Sequence, residues 1–171
     1  MFYGLVSQAH AIQIAQAVCR CLGNGRNKKA DLLLIETACA ETQLGTFMDP
    51  SPDGAGRGVT QIDSETFYWL KEKALELAPG SITRFKRSWR NKIARDFGID
   101  VKRVEHSDLD YNPLLAFIWA RLRYLVVAEA IPVSREARAA YWKKYFNSYH
   151  PNAAGTVIHY LESCETLLED L

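Results

Sequence analysis

Apolar residues recur at helical spacing in six or seven separate runs along this chain, and one stretch breaks the rule. Leu5, Val6, Ala9, Ile12, Ile14, Ala15 and Val18 predict a partly amphipathic helix over residues 4–22, closed by Gly23 and Gly25 around Asn24. A second helix, from about Lys29 to Gln43, is too apolar for a surface. Leu32, Leu33, Leu34, Ile35, Ala38, Cys39 and Ala40 leave almost no polar stripe, so other elements must surround it. Gly45 stops it. Residues 46–63 then carry Gly54, Gly56 and Gly58 at every second position together with Pro50 and Pro52, the composition of a loop with one short hairpin.

Helical spacing resumes at Ser64, a candidate cap for a helix through Phe67, Leu70, Ala74 and Leu77 that Pro79 and Gly80 end. Ser81 opens the next helix, through Ile82, Phe85, Trp89 and Ile93, to Phe97 and Gly98. Residues 99–111 are polar and irregular. Asn112 and Pro113 form a cap and first-turn pair for a long apolar helix from Leu114 to Ala130, stopped by Pro132. Ser134 caps a helix through Ala137, Tyr141 and Tyr145; a loop of Asn147, Ser148, His150, Pro151 and Asn152 leads to a last one carrying Val157, Leu161, Cys164 and Leu168. With no repeat or linker to divide them, these elements predict a single mainly α domain with one small β-hairpin.

Composition changes this picture little. At 171 residues, 48% hydrophobic and 24% charged, the chain is ordinary for a globular protein, and its formal net charge of +1 advertises no polyanionic partner. The basic residues are unevenly placed. Residues 84–95 hold Arg84, Lys86, Arg87, Arg90, Lys92 and Arg95 and no acid, leaving 15 basic against 20 acidic residues elsewhere. Phe85, Trp89 and Ile93 on one face make that stretch an amphipathic helix with a solvated basic side before they make it a nucleic-acid grip, so no specific nucleic acid is expected. Cys19 and Cys21 have the wrong spacing for a zinc knuckle or a redox pair, and with Cys39 and Cys164 they read as reduced thiols. None of the four histidines pairs at metal-ligand spacing, and no metal or cofactor is expected. The first residues lack the basic and apolar regions of a signal peptide, and no apolar run approaches a transmembrane span.

Candidate chemistry gathers in residues 31–63. Glu41 falls near the C-terminal end of the apolar helix, where the dipole disfavours negative charge and burial beside Leu44 and Phe47 pushes the same way. A carboxyl still protonated near neutrality suits a general acid. Glu36 lies five residues earlier, about 140° around the helix, and reads as a buried structural partner for an arginine or a backbone amide. Asp49, Asp53 and Asp63 follow in the loop, where aspartate is first of all a turn former, although glycoside hydrolysis often uses a second carboxylate. Gly54, Gly56 and Gly58 lack the lysine and helix of a phosphate-binding loop and read as backbone that lets an extended polymer approach. The four tryptophans sit at helical spacing with other apolar residues, which assigns at least three of them to the core.

The segments ACAETQLGT and GAGRGVTQID resemble goose-type lysozymes and soluble lytic transglycosylases, which carry an alanine-rich helix ending in Glu-Ser and then a Gly-x-Gly-Leu-Met-Gln segment. The matching residues are Glu41 with Thr42, and Gly56, Arg57, Gly58, Val59, Thr60, Gln61 and Ile62. The resemblance puts Glu41 in the position of the catalytic acid. It makes Asp63 or Asp53 the second carboxylate, and Gln61, Thr60 and Gly58 sugar contacts. The segment 116–125 looks like the family's long helix that ends in Tyr-Leu. The family's Ala-Tyr-Asn-Ala-Gly segment, whose tyrosine faces the acid, is matched loosely by Tyr145, Asn147 and Tyr149, with Gly155 beyond.

The resemblance implies a lysozyme-like fold and cleavage of the β-1,4 bond between N-acetylmuramic acid and N-acetylglucosamine in bacterial peptidoglycan. The products would be those of a muramidase or, where the substrate's own 6-hydroxyl attacks, of a lytic transglycosylase. It further implies a phage protein made in the host cytoplasm that meets the wall either as a released lysin or as a virion component among other virion proteins. A virion structural or ejection protein that keeps the fold without catalysis is the third implied role.

Overall fold

The computed structural model describes residues 1–48, 56–73, 75, 84–147 and 155–168, with the backbone alone for residues 84–87. The expected Pro79–Gly80 helix end and the Ser81 helix start lie outside the described residues, as do Asp49, Asp53, Gly54, Tyr149 and the loop residues 148–152. The described chain is mainly helical, with one two-stranded antiparallel sheet, as the apolar spacing predicts.

Helix α1 (Gln8–Leu22) starts where Ser7 Oγ accepts the His10 N–H at 3.1 Å, and ends at Gly23, whose φ of 98° no helix can hold. It begins four residues later than expected because Tyr3 and Gly4 take left-handed φ values of 58° and 74°. A Cβ on Gly4 would stand 2.6 Å from the Tyr111 carbonyl oxygen, so the chain before α1 lies tightly against Tyr111 and Pro113. Helix α2 (Ala30–Thr42) is buried nearly all round, as its missing polar stripe requires. Helix α1 and three later helices, α5 (Pro113–Leu125), α6 (Arg135–Tyr145) and α7 (Val157–Leu167), pack about it. It ends in three successive left-handed residues, Gln43, Leu44 and Gly45, with φ of 47°, 54° and 76°; the N–H groups of Gln43 and Leu44 turn back onto the Cys39 and Ala38 carbonyls.

Strands β1 (Gly56–Arg57) and β2 (Ile62–Asp63) pair Gly56 with Asp63 and Arg57 with Ile62. Helix α3 (Ser64–Lys73) follows without a break, and its cap is Asp63, not Ser64: Asp63 Oδ1 accepts the Thr66 N–H at 2.7 Å. Helix α4 (Arg84–Phe97) lies on α1 with Ile93 fully buried. The stretch read as irregular contains a short 3-10 helix (His106–Asp110), closed by reciprocal bonds between Glu105 and Asp108. Helix α5 (Pro113–Leu125) is capped by Asn112 as expected but stops five residues before Ala130. The helical run ends at Leu125 with Val126 as its C-cap, and the chain turns so that Ile131 enters the core and its carbonyl accepts Asn27 Nδ2 at 2.8 Å. Helices α6 (Arg135–Tyr145) and α7 (Val157–Leu167) complete the bundle, each capped by a hydroxyl, Ser134 and Thr156.

One contiguous core joins these elements, with Trp119 and Phe67 stacked at 4.8 Å and Trp142 against Tyr160 at 5.2 Å. All four cysteines are buried free thiols. Among the described residues no helix is long and apolar enough to cross a membrane.

Candidate active site

Glu41 occupies the last turn of α2, and α6 brings its partners. The Trp142 indole Nε1 donates to Glu41 Oε1 at 2.9 Å. The Asn147 side chain, two residues beyond α6, hydrogen-bonds the same carboxyl, while Asn147 Oδ1 accepts Lys143 Nζ at 2.8 Å. That use of the amide oxygen leaves the Asn147 NH2 for Glu41. Gly155 permits the closure, since a Cβ there would lie 2.6 Å from Trp142 Cη2 and 2.9 Å from Asn147 Nδ2. From α7, His159 Nε2 reaches the Ala40 carbonyl at 2.9 Å. Burial pushes the Glu41 carboxyl up to about 7; the Trp142 and Asn147 hydrogen bonds and the Lys143 charge pull the other way and do not prevail. The residue as a whole is partly buried, while its carboxyl is enclosed.

The next residue ties this acid to the hairpin. Thr42 Oγ1 donates to the Val59 carbonyl at 2.7 Å and accepts the Gly45 N–H at 3.1 Å. Within the hairpin Gly58 is left-handed, with φ of 72°, and a Cβ on it would meet the Leu109 carbonyl oxygen at 2.6 Å. Its N–H donates to Asp110 Oδ1 at 2.9 Å, and Arg57 pairs with the other oxygen of that carboxylate at 2.7 Å. Thr60 is fully buried and donates to the Ala116 carbonyl at 3.1 Å. Gln61 folds back on its own turn, with Nε2 donating to the Gly58 carbonyl at 2.8 Å and to the Tyr3 hydroxyl at 3.2 Å, and its side chain covers Gly56.

No family model, curated protein or solved structure matches this chain.

Of the residues singled out in the sequence, Glu41 and Asn147 come together. Gly58 and Thr60 face the core, where they seat the hairpin on α5 and the 3-10 helix, and Gln61 is spent on the hairpin turn. Asp63 is partly exposed and caps α3. Tyr145 does not face the acid. Its hydroxyl donates to Glu129, its ring packs on Tyr141 at 4.7 Å, and Lys144 Nζ lies 4.6 Å from the ring centre. Trp142, and not Tyr145, donates to the acid. Asp53 and Tyr149 lie outside the described residues.

Glu36 takes the structural role expected of it. It is 1% exposed and bound by Arg138 through two bonds of 2.6 Å, by the Tyr160 hydroxyl at 2.8 Å and by Arg135 at 3.4 Å. Trp142 and Lys143 escaped the sequence reading because apolar spacing assigns a helical tryptophan to packing. The available signal was weak: a buried indole must find an acceptor for its N–H, and Glu41 was an unassigned one. Among the described residues no group of three or more His, Cys, Asp or Glu side chains could hold a metal ion.

Proposed function

We propose that the chain cleaves the β-1,4 bond between N-acetylmuramic acid and N-acetylglucosamine in bacterial peptidoglycan, with Glu41 as the general acid. The observation that carries this reading is the Glu41 carboxyl itself, raised to about 7 by burial and met by the Trp142 indole, at the end of a helix bound to a glycine hairpin. Glu41 protonates the leaving glycosidic oxygen. As the carboxylate forms, the N–H groups of Trp142 and Asn147 and the Lys143 charge bear on it more strongly, so the donors act most where charge develops. The route takes a proton donor and no metal.

The oxocarbenium-like sugar left behind is captured by water or by the substrate's own 6-hydroxyl. Asp63 accepts the Thr66 N–H at 2.7 Å, so its place in the sequence is accounted for by the cap of α3. Glu41→Gln is expected to abolish clearing of purified cell walls with an unchanged helical circular dichroism spectrum; persistent clearing overturns the assignment. Mass spectrometry of the wild-type products separates the two outcomes, since anhydromuramic ends mark transglycosylation and reducing ends mark hydrolysis.

A further inference from the structure

Both acids of α2 are met by side chains of α6, Glu36 by Arg138 and, at 3.4 Å, by Arg135 as well. Glu36 meets Arg138, and Glu41 meets Trp142. The acids stand five residues apart, a rise of about 7.5 Å, and their partners four apart, a rise of about 6 Å. Both pairs run in the same order along their helices, so they form two rungs between segments that ascend together. A single rung would leave α6 free to turn or slide about it. The second removes that freedom.

We infer that the buried Glu36–Arg138 pair is a register device that fixes α6 along α2 so that the Trp142 indole meets Glu41, which makes Glu36 and Arg138 positioning residues for the acid. The geometry suits that role. Arg138 grips both Glu36 oxygens at 2.6 Å through Nε and Nη2, and its Nη1 donates to the Val133 carbonyl at the entrance to α6. A planar fork bound at both tines fixes orientation as well as distance, which a lysine cannot do. The Tyr160 hydroxyl completes Glu36 from α7, and the Tyr160 ring packs on Trp142 at 5.2 Å, so the same residue backs both rungs. Stability alone does not account for the pair, because buried ion pairs are commonly replaced by apolar residues without loss. The hydrogen bonds of Glu36 and Arg138 run to each other, to Arg135, to the Tyr160 hydroxyl and to the Val133 carbonyl, and neither residue touches the Glu41 carboxyl.

The inference rests on the proposed function only for what the acid does, and its test reads the acid directly. The Glu41 carboxyl is titrated by carbon NMR in the full chain, in wild type, Trp142→Phe and Arg138→Lys. Among the described residues, the other charged or titratable groups around Glu41 are Tyr124 from α5, Lys143 from α6 and His159 from α7, and all three are kept in these variants. Trp142→Phe removes a donor to the ionised form, so the midpoint rises by about one pH unit. Arg138→Lys keeps the charge and loses the fork, and the midpoint shifts in the same direction. Should Arg138→Lys fail to fold, the double variant Glu36→Gln with Arg138→Met removes the pair without burying a lone charge and is expected to give the same shift. A midpoint that stays at the wild-type value in the folded Arg138 variants, or in Trp142→Phe, overturns the inference. Wall clearing by wild type is scored separately: titrations that shift as expected in a chain that clears no wall sink the proposed function and leave the register intact.

Discussion

The indole N–H of Trp142 lies 2.9 Å from Glu41 Oε1, a hydrogen bond that favours the ionised carboxyl in a place where burial favours the neutral one. Burial prevails, and the carboxyl rises to about 7. The opposition matters more than either effect alone. Burial without donors would hold the proton too tightly to release it, and donors without burial would leave the group ionised at neutral pH.

Stability should report the same poise. An acid whose folded value is raised from 4.5 to about 7 binds its proton more tightly when folded, so its contribution is fully present below pH 4.5 and is lost as pH rises towards 7. Between pH 5 and pH 8 wild type is expected to lose on the order of 2 kcal/mol relative to Glu41→Gln. Urea midpoints of the two proteins at both pH values measure it. Wall clearing by wild type falls over the same range, above pH 7, as the acid loses its proton.

Two glycines with nearly equal backbones separate conformational strain from close packing. Gly58 and Gly98 have φ of 72° and 67°; a Cβ on Gly98 meets nothing within 4 Å, whereas one on Gly58 meets the Leu109 carbonyl oxygen at 2.6 Å and Ala116 Cβ at 2.9 Å. Gly98→Ala is expected to cost about 1 kcal/mol, the penalty of a left-handed alanine. Gly58→Ala adds an overpacking cost of about 1–3 kcal/mol and moves the hairpin off α5. Chemical denaturation of both variants measures the difference, and equal losses would mean that the hairpin is not seated on that helix.

How far the molecule could be read in advance follows from what spacing encodes. The apolar run of α2 required enclosure, and α1, α5, α6 and α7 enclose it. Glu36 was legible as a buried partner because a charge on so apolar a helix needs one. Position around a helix does not say which distant residue arrives, so Arg138, 102 residues later, could be anticipated as an arginine but not by number. For the same reason Trp142 passed as core, which it also is: its ring is fully buried and its N–H alone meets Glu41. The hairpin glycines were read as a floor for a polymer since nothing local distinguishes a glycine opened to a ligand from one closed against a carbonyl. Helix α5 was drawn too long because Val126 and Val127 continue an apolar pattern past the end of the helix.

Thr42 should behave as the link between acid and hairpin. Thr42→Val removes the donor to the Val59 carbonyl and leaves that buried oxygen without it, a loss of about 1–3 kcal/mol. Thr42→Ser keeps the hydroxyl and loses a methyl group, so it is expected to retain the hairpin and most of the stability, with a cost of about 1 kcal/mol. Thermal denaturation orders the three proteins.

Asp63 offers the sharpest division between capping and catalysis. Its Oδ1 accepts the Thr66 N–H at 2.7 Å, and asparagine caps a helix as well as aspartate does. Asp63→Asn is therefore expected to leave stability within a few tenths of a kcal/mol of wild type, while Asp63→Ala costs about 1 kcal/mol. Wall clearing decides the chemistry. With Asp63 as a cap alone, Asp63→Asn clears walls at the wild-type rate and gives the same product ends as wild type. A folded, equally stable Asp63→Asn that no longer clears walls would make Asp63 the second carboxylate, and the products of wild type should then carry reducing ends.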